Sequence, residues 1–154
     1  MTAAGAVEAP VTPERELRRH FALPEEDVEN LNSSGLRWET VRCTDRAQQV
    51  DWVIILDVPV PAGLEARDAP HQPLPTVDMA IRVTGYPDAA LDMVYVYPPL
   101  ARASRNPIGG LTELTIDARA FQQWSRHYRY DVNTNCLFSH FCTACTWLEK
   151  AASI

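Results

Sequence analysis

Three of the four cysteines, Cys136, Cys142 and Cys145, lie close together near the end of the chain with His140 among them. Thiolate and imidazole are the ligands zinc prefers, so the spacing Cys136-x3-His140-x-Cys142-x2-Cys145 admits a metal site. Helical geometry opposes it. If residues 135–150 form one helix, Cys136 and His140 share a face while Cys142 points elsewhere, and no metal or cofactor is expected. A redox role for Cys142-x2-Cys145 meets a similar objection, because the pair sits toward the end of that helix rather than at its start, where the dipole lowers a thiol pKa. Structural thiols are the simpler reading. Cys43 stands apart, and no cysteine lies between it and Cys136. Oxygen nucleophiles are more numerous: Ser104, Thr112 and Thr115 precede the string Trp124-Ser125-Arg126-His127. A hydroxyl attacks only when a neighbouring base removes its proton. Residues two apart in a helix face different sides, so direct contact between Ser125 and His127 requires a turn or extended backbone there. His20 and His71 stand alone, one in a basic helix and one in a Pro-rich stretch, and are expected at the surface.

These residues must be positioned by the elements around them. Residues 1–12 are Ala-rich and aperiodic and read as a disordered tail, leaving 13–154 as one domain. Thr12-Pro13-Glu14 has the chemistry of a helix start, predicting a short helix to about Phe21. Glu25, Glu26 and Asp27 after Pro24 predict a second brief helix, ended by Asn32-Ser-Ser-Gly35. Trp38 to Cys43 is rich in β-formers, and Val50 to Val58 is a nearly continuous apolar run, as for a strand covered on both faces. Pro59 to Pro75 holds many prolines and reads as loop. Val77, Met79, Ile81 and Val83 alternate with polar or small residues, Gly85-Tyr86-Pro87 turns the chain, and Asp92 to Tyr97 gives a fourth strand stopped by Pro98-Pro99. Leu100 to Asp117 reads as a long loop. A short helix is expected over 119–127. Leu137, Phe141, Ala144 and Leu148 recur at helical spacing, with Asn133 to Asn135 supplying the cap. The expected fold class is α+β: a four-stranded antiparallel meander, with an N-terminal and a C-terminal helix packed on one sheet face.

Composition narrows the function classes. The 154 residues carry a net charge of −6 without any run of Lys or Arg interleaved with aromatics, so nucleic acid is not an expected partner. No window is apolar enough over the required length to cross a bilayer, and the start lacks the pattern of an export signal, which predicts a cytoplasmic protein with no membrane partner. No phosphate-cradling glycine loop or carboxylate cluster suggests a small-molecule site.

Particular residues carry a closer likeness. Leu23-Pro24-Glu-Glu-Asp27, Gly35-x2-Trp38-Glu39-Thr40, Trp52-Val-Ile-Ile, Val77-Asp-x-Ala-Ile-Arg82, Tyr86-Pro87, Leu91-Asp-Met93, Pro98-Pro99-Leu100-Ala-Arg102, Pro107-Ile-Gly109, Ile116-Asp117 and Trp124-Ser-Arg-His127 resemble the bacterial ubiquitin-conjugating-enzyme-like (UBC fold) proteins of prokaryotic family E. The likeness spans roughly residues 17 to 150. It implies an acyl carrier or transferase in a bacterial ubiquitin-like protein conjugation pathway linked to antiphage defence. The implied partners are a ubiquitin-like protein, a ThiF-type activating enzyme and a JAB-type deconjugating protease.

That fold ordinarily holds a cysteine between the proline-ended strand and the next helix, and this chain has none there. The resemblance therefore implies either an oxyester on a serine or threonine, or a catalytically inactive adaptor that binds the ubiquitin-like protein or its activating enzyme. For the active form the family string offers Ser125 as nucleophile, His127 as base and Arg126 as oxyanion stabiliser. Thr112, Thr115 and Ser104 are alternatives. Cys136 is a further one, at a position usually acidic in the family. Tyr97 stands near the place of a His-Pro-Asn motif of which the histidine and asparagine are lost, with Asn106 as a replacement amide donor. In the ordinary structural reading Trp124 packs in the core, Arg126 pairs with an acid such as Asp117, and His127 satisfies a buried carbonyl.

Overall fold

The computed structural model describes residues 16–91, 93–109, 111–124, 130–131 and 135–153. Helix α1 (Glu25–Ser33) starts after Pro24 with three acids in its first turn, where the helix dipole favours them. It stops at Gly35, whose φ of 72° suits the left-handed position after a helix and returns its N–H to Asn32 O at 3.0 Å. Strands β1 (Arg37–Asp45) and β2 (Gln48–Pro59) form a hairpin through Arg46 and Ala47, both at positive φ, as a two-residue turn between twisted strands demands. Strand β3 (Leu64–Ala66) lies inside the Pro-rich stretch, and β4 (Thr76–Arg82) and β5 (Val94–Tyr97) follow. After the prolines come β6 (Leu100–Arg102), β7 (Leu111–Ile116), β8 (Arg119–Trp124) and helix α2 (Leu137–Ala152).

The α+β class holds, with two helices among the described residues and antiparallel pairing throughout the named strands. The sheet has six strands rather than four, in the order β1-β2-β4-β5-β8-β7, and a separate ribbon pairs β3 with β6. Two segments read as loop therefore contain strands. Leu64–Ala66 pairs with Leu100–Arg102, a partnership between two short pieces far apart in sequence that neither announces alone. The expected helix over 119–127 is instead strand β8 as far as Trp124, with the rest outside the described residues. Of the expected helix ending near Phe21, residues 16–18 have no regular structure and Arg19 forms a parallel bridge to Thr40. There the backbone of Arg18 and His20 bonds Thr40 on the edge of β1 at 3.0 Å, which outweighs helical propensity.

Two apolar cores result. On one face, alternate residues of the strands, such as Val53, Ile55, Met79, Ile81, Val94 and Val96, pack with Leu31 of α1 and with Leu137, Phe141, Ala144 and Leu148 of α2. The other face gathers Val41, Trp52, Ile54, Tyr95, Ile116 and Phe121. Among the described residues no helix joins that second cluster; the sheet rolls over it. Arg18 reports the roll. Its guanidinium reaches Glu39 on β1 at 3.0 Å and Asp117 in the β7–β8 turn at 2.7 Å, so the two outermost strands come within one side chain of each other. No described helix is long and apolar enough to cross a membrane.

Candidate functional site

The proline-ended strand leads to a corner assembled from the β3–β6 ribbon. Tyr97 closes β5, half-buried, its ring 5.6 Å from Phe121 and under the Arg119 guanidinium at 5.0 Å. Pro98 follows through a cis peptide bond. With no N–H on either proline, the ladder of β5 stops and the chain switches partners. Gln122 of β8, buried beneath the switch, holds it. Its amide accepts from Leu100 N–H and donates to Leu100 O, both at 2.9 Å, and so stands in for a strand partner. Arg67 N–H then bonds Pro99 O at 2.8 Å, and Ala103 N–H bonds Gly63 O at 2.8 Å, closing the ribbon at both ends.

Glu65 lies at the centre of this ribbon, its side chain only 8% exposed. A buried carboxylate needs donors, and two residues in left-handed backbone supply them. Arg105 (φ 66°) places a guanidinium nitrogen 2.6 Å from Oε2, and His71 (φ 63°) donates its backbone N–H to Oε1 at 3.0 Å. The His71 ring sits with Nδ1 3.8 Å from that same oxygen and is otherwise exposed. Arg67 bridges Asp68 at 3.0 Å and reaches Glu113 on β7, fastening the ribbon to the sheet. Beside the cluster, Ala66, Asp68, Gln72, Leu74, Pro98 and Pro99 line a groove of about 340 Å³. A second groove, about 500 Å³, lies between Phe21, Leu23, Val28 and Trp38, where the Arg19 guanidinium stacks 3.5 Å above the Trp38 ring. The second groove contains no candidate nucleophile.

The hydroxyl candidates divide. Ser104 directly precedes Arg105, is exposed, and takes the Asn106 N–H on Oγ at 3.3 Å; Asn106 is exposed beside it. Thr115 is exposed on β7 two residues from Glu113, hence on the face that meets the ribbon. Thr112 is exposed on the opposite face of that strand. Ser125, Arg126 and His127 lie outside the described residues. Trp124 before them is fully buried and paired with Val94, at the opposite end of β5 from Pro98. Asp117, named as an acid for Arg126, which lies outside the described residues, takes the Arg18 guanidinium, which holds its carboxyl below the usual range.

Cys136 lies at the end of α2 opposite the ribbon. Cys136 is the N-cap of α2, its side chain and that of Ser139 each receiving a backbone N–H in a capping box. The cap is thus Cys136 rather than Asn135, which instead takes the Asp131 N–H at 2.8 Å. The ribbon docks at the other end of α2, where Arg102 donates to Ala151 O at 2.7 Å. A helix of 16 residues puts about 24 Å between them. Cys43, half-buried on β1, has its thiol raised by burial; Cys142 is exposed, and Cys145 is pushed up to about 11, first by burial. His140 is fully buried between the rings of Tyr130 and Trp147. Among the described residues no group of three His, Cys, Asp or Glu side chains is placed to hold a metal ion.

Glu65, Gln122 and Arg105 escaped the sequence reading. The one available signal was a glutamate set between Leu64 and Ala66 in a Pro-rich stretch, since a charge inside an apolar step implies a buried partner. At the far end of the sheet a matching polar relay joins the elements: the Tyr86 hydroxyl donates to buried Asp27 at 2.7 Å and accepts the first N–H of α2, from Leu137, at 2.9 Å.

No curated protein and no solved structure matches the chain. A model of prokaryotic E2 family E matches residues 23–151, from the start of α1's approach to the last turn of α2. The proline-ended strand, its corner and the helices that frame them all lie within the matched span, and the chain belongs to prokaryotic E2 family E.

Proposed function

We propose that the protein is an acyl carrier of a bacterial ubiquitin-like conjugation pathway, and that it carries its cargo as an oxyester at the Pro98 corner. The observation that carries this reading is the composition of the corner. Exposed Ser104 directly precedes Arg105, whose guanidinium holds the buried Glu65 carboxylate, and exposed Thr115 stands on β7 two residues from Glu113, which takes Arg67, while Cys136 sits a helix length away. A guanidinium beside a reacting carbonyl offers charge stabilisation to the tetrahedral oxyanion. Ser104 is the first choice for the carrier hydroxyl, with Thr115 second; Ser125 with His127 and Arg126 is the other arrangement the family string offers. The partners are a ubiquitin-like protein and a ThiF-type activating enzyme, with a JAB-type protease reversing the modification, and antiphage defence is the setting.

The test is charging. Incubated with ATP, its activating enzyme and its ubiquitin-like protein, the chain is expected to form an adduct that resists thiol reductant and is cleaved by mild base. Peptide mass spectrometry should place it on Ser104, and Ser104→Ala should abolish it. A reductant-sensitive adduct on Cys136 would reject the oxyester.

One observation favours a second reading, an inactive adaptor. Ser104 Oγ is engaged by a backbone N–H, and the Glu65 carboxylate is occupied by Arg105 and the His71 N–H. Binding to the ubiquitin-like protein without any adduct, with an activating enzyme proven competent, is the outcome that selects it.

A further inference from the structure

We propose that Lys150 is a site of self-modification, its side-chain amine taking the acyl group carried by its own chain when no partner amine is at hand. The inference rests on the carrier reading above, with the ester on Ser104. Lys150 is the only lysine among the fourteen Lys and Arg residues of the chain, although lysine is one of the commonest residues in soluble proteins. Geometry accounts for part of this. Arg18, Arg42 and Arg67 each set two guanidinium nitrogens on carboxylates, which an ammonium does not match. Arg37, however, makes one bond to exposed Asp57 at 2.6 Å, and exposed Arg82 has no ion-pair partner among the described residues. A lysine would serve at either position. What arginine changes there is chemistry: a guanidinium keeps its charge up to about pH 12, whereas a lysine amine loses its proton readily enough to attack an acyl carbon.

The one lysine amine that remains stands beside the ribbon. Lys150 is exposed on the last turn of α2, with no ion-pair partner among the described residues. Its neighbour Ala151 accepts from Arg102 at 2.7 Å, and Ala152 O lies so close to Gly63 that an added β-carbon there would stand 2.5 Å from it. Gly63 O in turn accepts the Ala103 N–H at 2.8 Å, and Ser104 follows. Ser104 and Lys150 are thus each one residue from a contact of the same junction, at the Gly63 end of the ribbon. The other cations of the ribbon and its turns, Arg67, Arg102 and Arg105, are guanidinium groups and inert toward an ester.

With an ester on Ser104, the neutral Lys150 nitrogen attacks the carbonyl carbon. The C–N bond forms and the C–O bond to Ser104 breaks, while the proton shed by nitrogen passes through water to the serine oxygen. An isopeptide and a free hydroxyl result, with no redox partner. The change is one-way, because the amide resists the mild base that opens the ester. A coding preference for arginine also explains a single lysine, but it predicts a transfer indifferent to where a lysine stands.

The experiment charges the full-length chain with ATP, activating enzyme and ubiquitin-like protein, removes the ATP, and follows the adduct without added amine by mild-base treatment and peptide mass spectrometry. The base-labile adduct should convert to a base-stable one on Lys150, at a rate independent of protein concentration. Lys150→Arg keeps the charge at the helix end, and should charge within about twofold of the parent yet form no base-stable adduct. Ser104→Ala should form neither adduct. Arg82→Lys, added to Lys150→Arg, offers an amine at the far end of the sheet, beyond the pair Ile81–Val94 rather than near Asp78–Tyr97, and should form the isopeptide about 100-fold more slowly than the parent. A base-labile adduct that never converts, an isopeptide mapped elsewhere in the parent, a rate that rises with concentration, or equal conversion by the double variant overturns the assignment. A parent protein that takes no adduct from a competent activating enzyme overturns the carrier reading itself and this site with it.

Discussion

Asp27 is 2% exposed, and its carboxyl is raised above the ordinary 3.8, first by burial, while the Tyr86 hydroxyl bond pulls the other way. A carboxyl raised in the fold binds its proton more tightly there than in the unfolded chain. Its contribution therefore favours folding fully below the ordinary value and is lost as pH rises through the folded value. Asp27→Asn removes this dependence and still accepts from Tyr86. Chemical denaturation from pH 3 upward should show the variant gaining on the parent as pH rises. Tyr86→Phe removes the hydroxyl that joins Asp27 to the first N–H of α2, and should cost about 2 kcal/mol in the same assay. Thiol reactivity is set at this scale too. Exposed Cys142 should alkylate well before Cys145, whose thiol is pushed up to about 11, as timed iodoacetamide labelling and peptide mapping will show.

At the scale of elements, Arg18 is the joint between the strap at residues 18–20 and the rolled sheet. Asp117 is held low by the Arg18 guanidinium, so its share of stability is present above the ordinary 3.8 and is lost as pH falls through the folded value. Arg18→Ala also deprives fully buried Glu39 of its guanidinium, and should cost about 3 kcal/mol, more than Asp117→Asn, in urea unfolding at pH 7. Gly63 presents a second joint. Its φ is 103°, and an added β-carbon would stand 2.5 Å from Ala152 O, so Gly63→Ala should lower hydrogen-exchange protection of β3, β6 and the last turn of α2 together.

The longer elements were legible because their patterns are local. The alternation Val77–Val83 and the helical stripe Leu137–Leu148 each state a period within one segment, and the apolar run Val50–Val58 is marked by its length and β-branched content. Leu64–Ala66 and Leu100–Arg102 state nothing alone, since three residues carry no period and their pairing is supplied by the fold. Phe121 and Trp124 fit helix or strand equally over so short a span; Gln122, bonded to Leu100 from within β8, is what the strand reading needed and sequence could not show. The corner was foreseen where it begins, at Pro98-Pro99. Glu65, Arg105 and His71 come together there only through the ribbon and two left-handed residues, neither of them a glycine to give the turn away.

At the scale of the whole molecule, chemistry and architecture separate. The ends of α2 anchor two polar assemblies, the Asp27–Tyr86 relay at its start and the ribbon at its finish. The four cysteines take no part in the proposed ester, so a variant with all four replaced by alanine should still accept the ubiquitin-like protein, as intact mass after charging will show. The Arg18–Asp117 contact joins positions 99 residues apart. On a ribosome, the strap near the amino terminus must therefore wait unclasped until the β7–β8 turn has emerged. The rolled sheet is closed after most of the chain has been made, and a nascent chain stalled before that turn would expose the half-finished second core to chaperones.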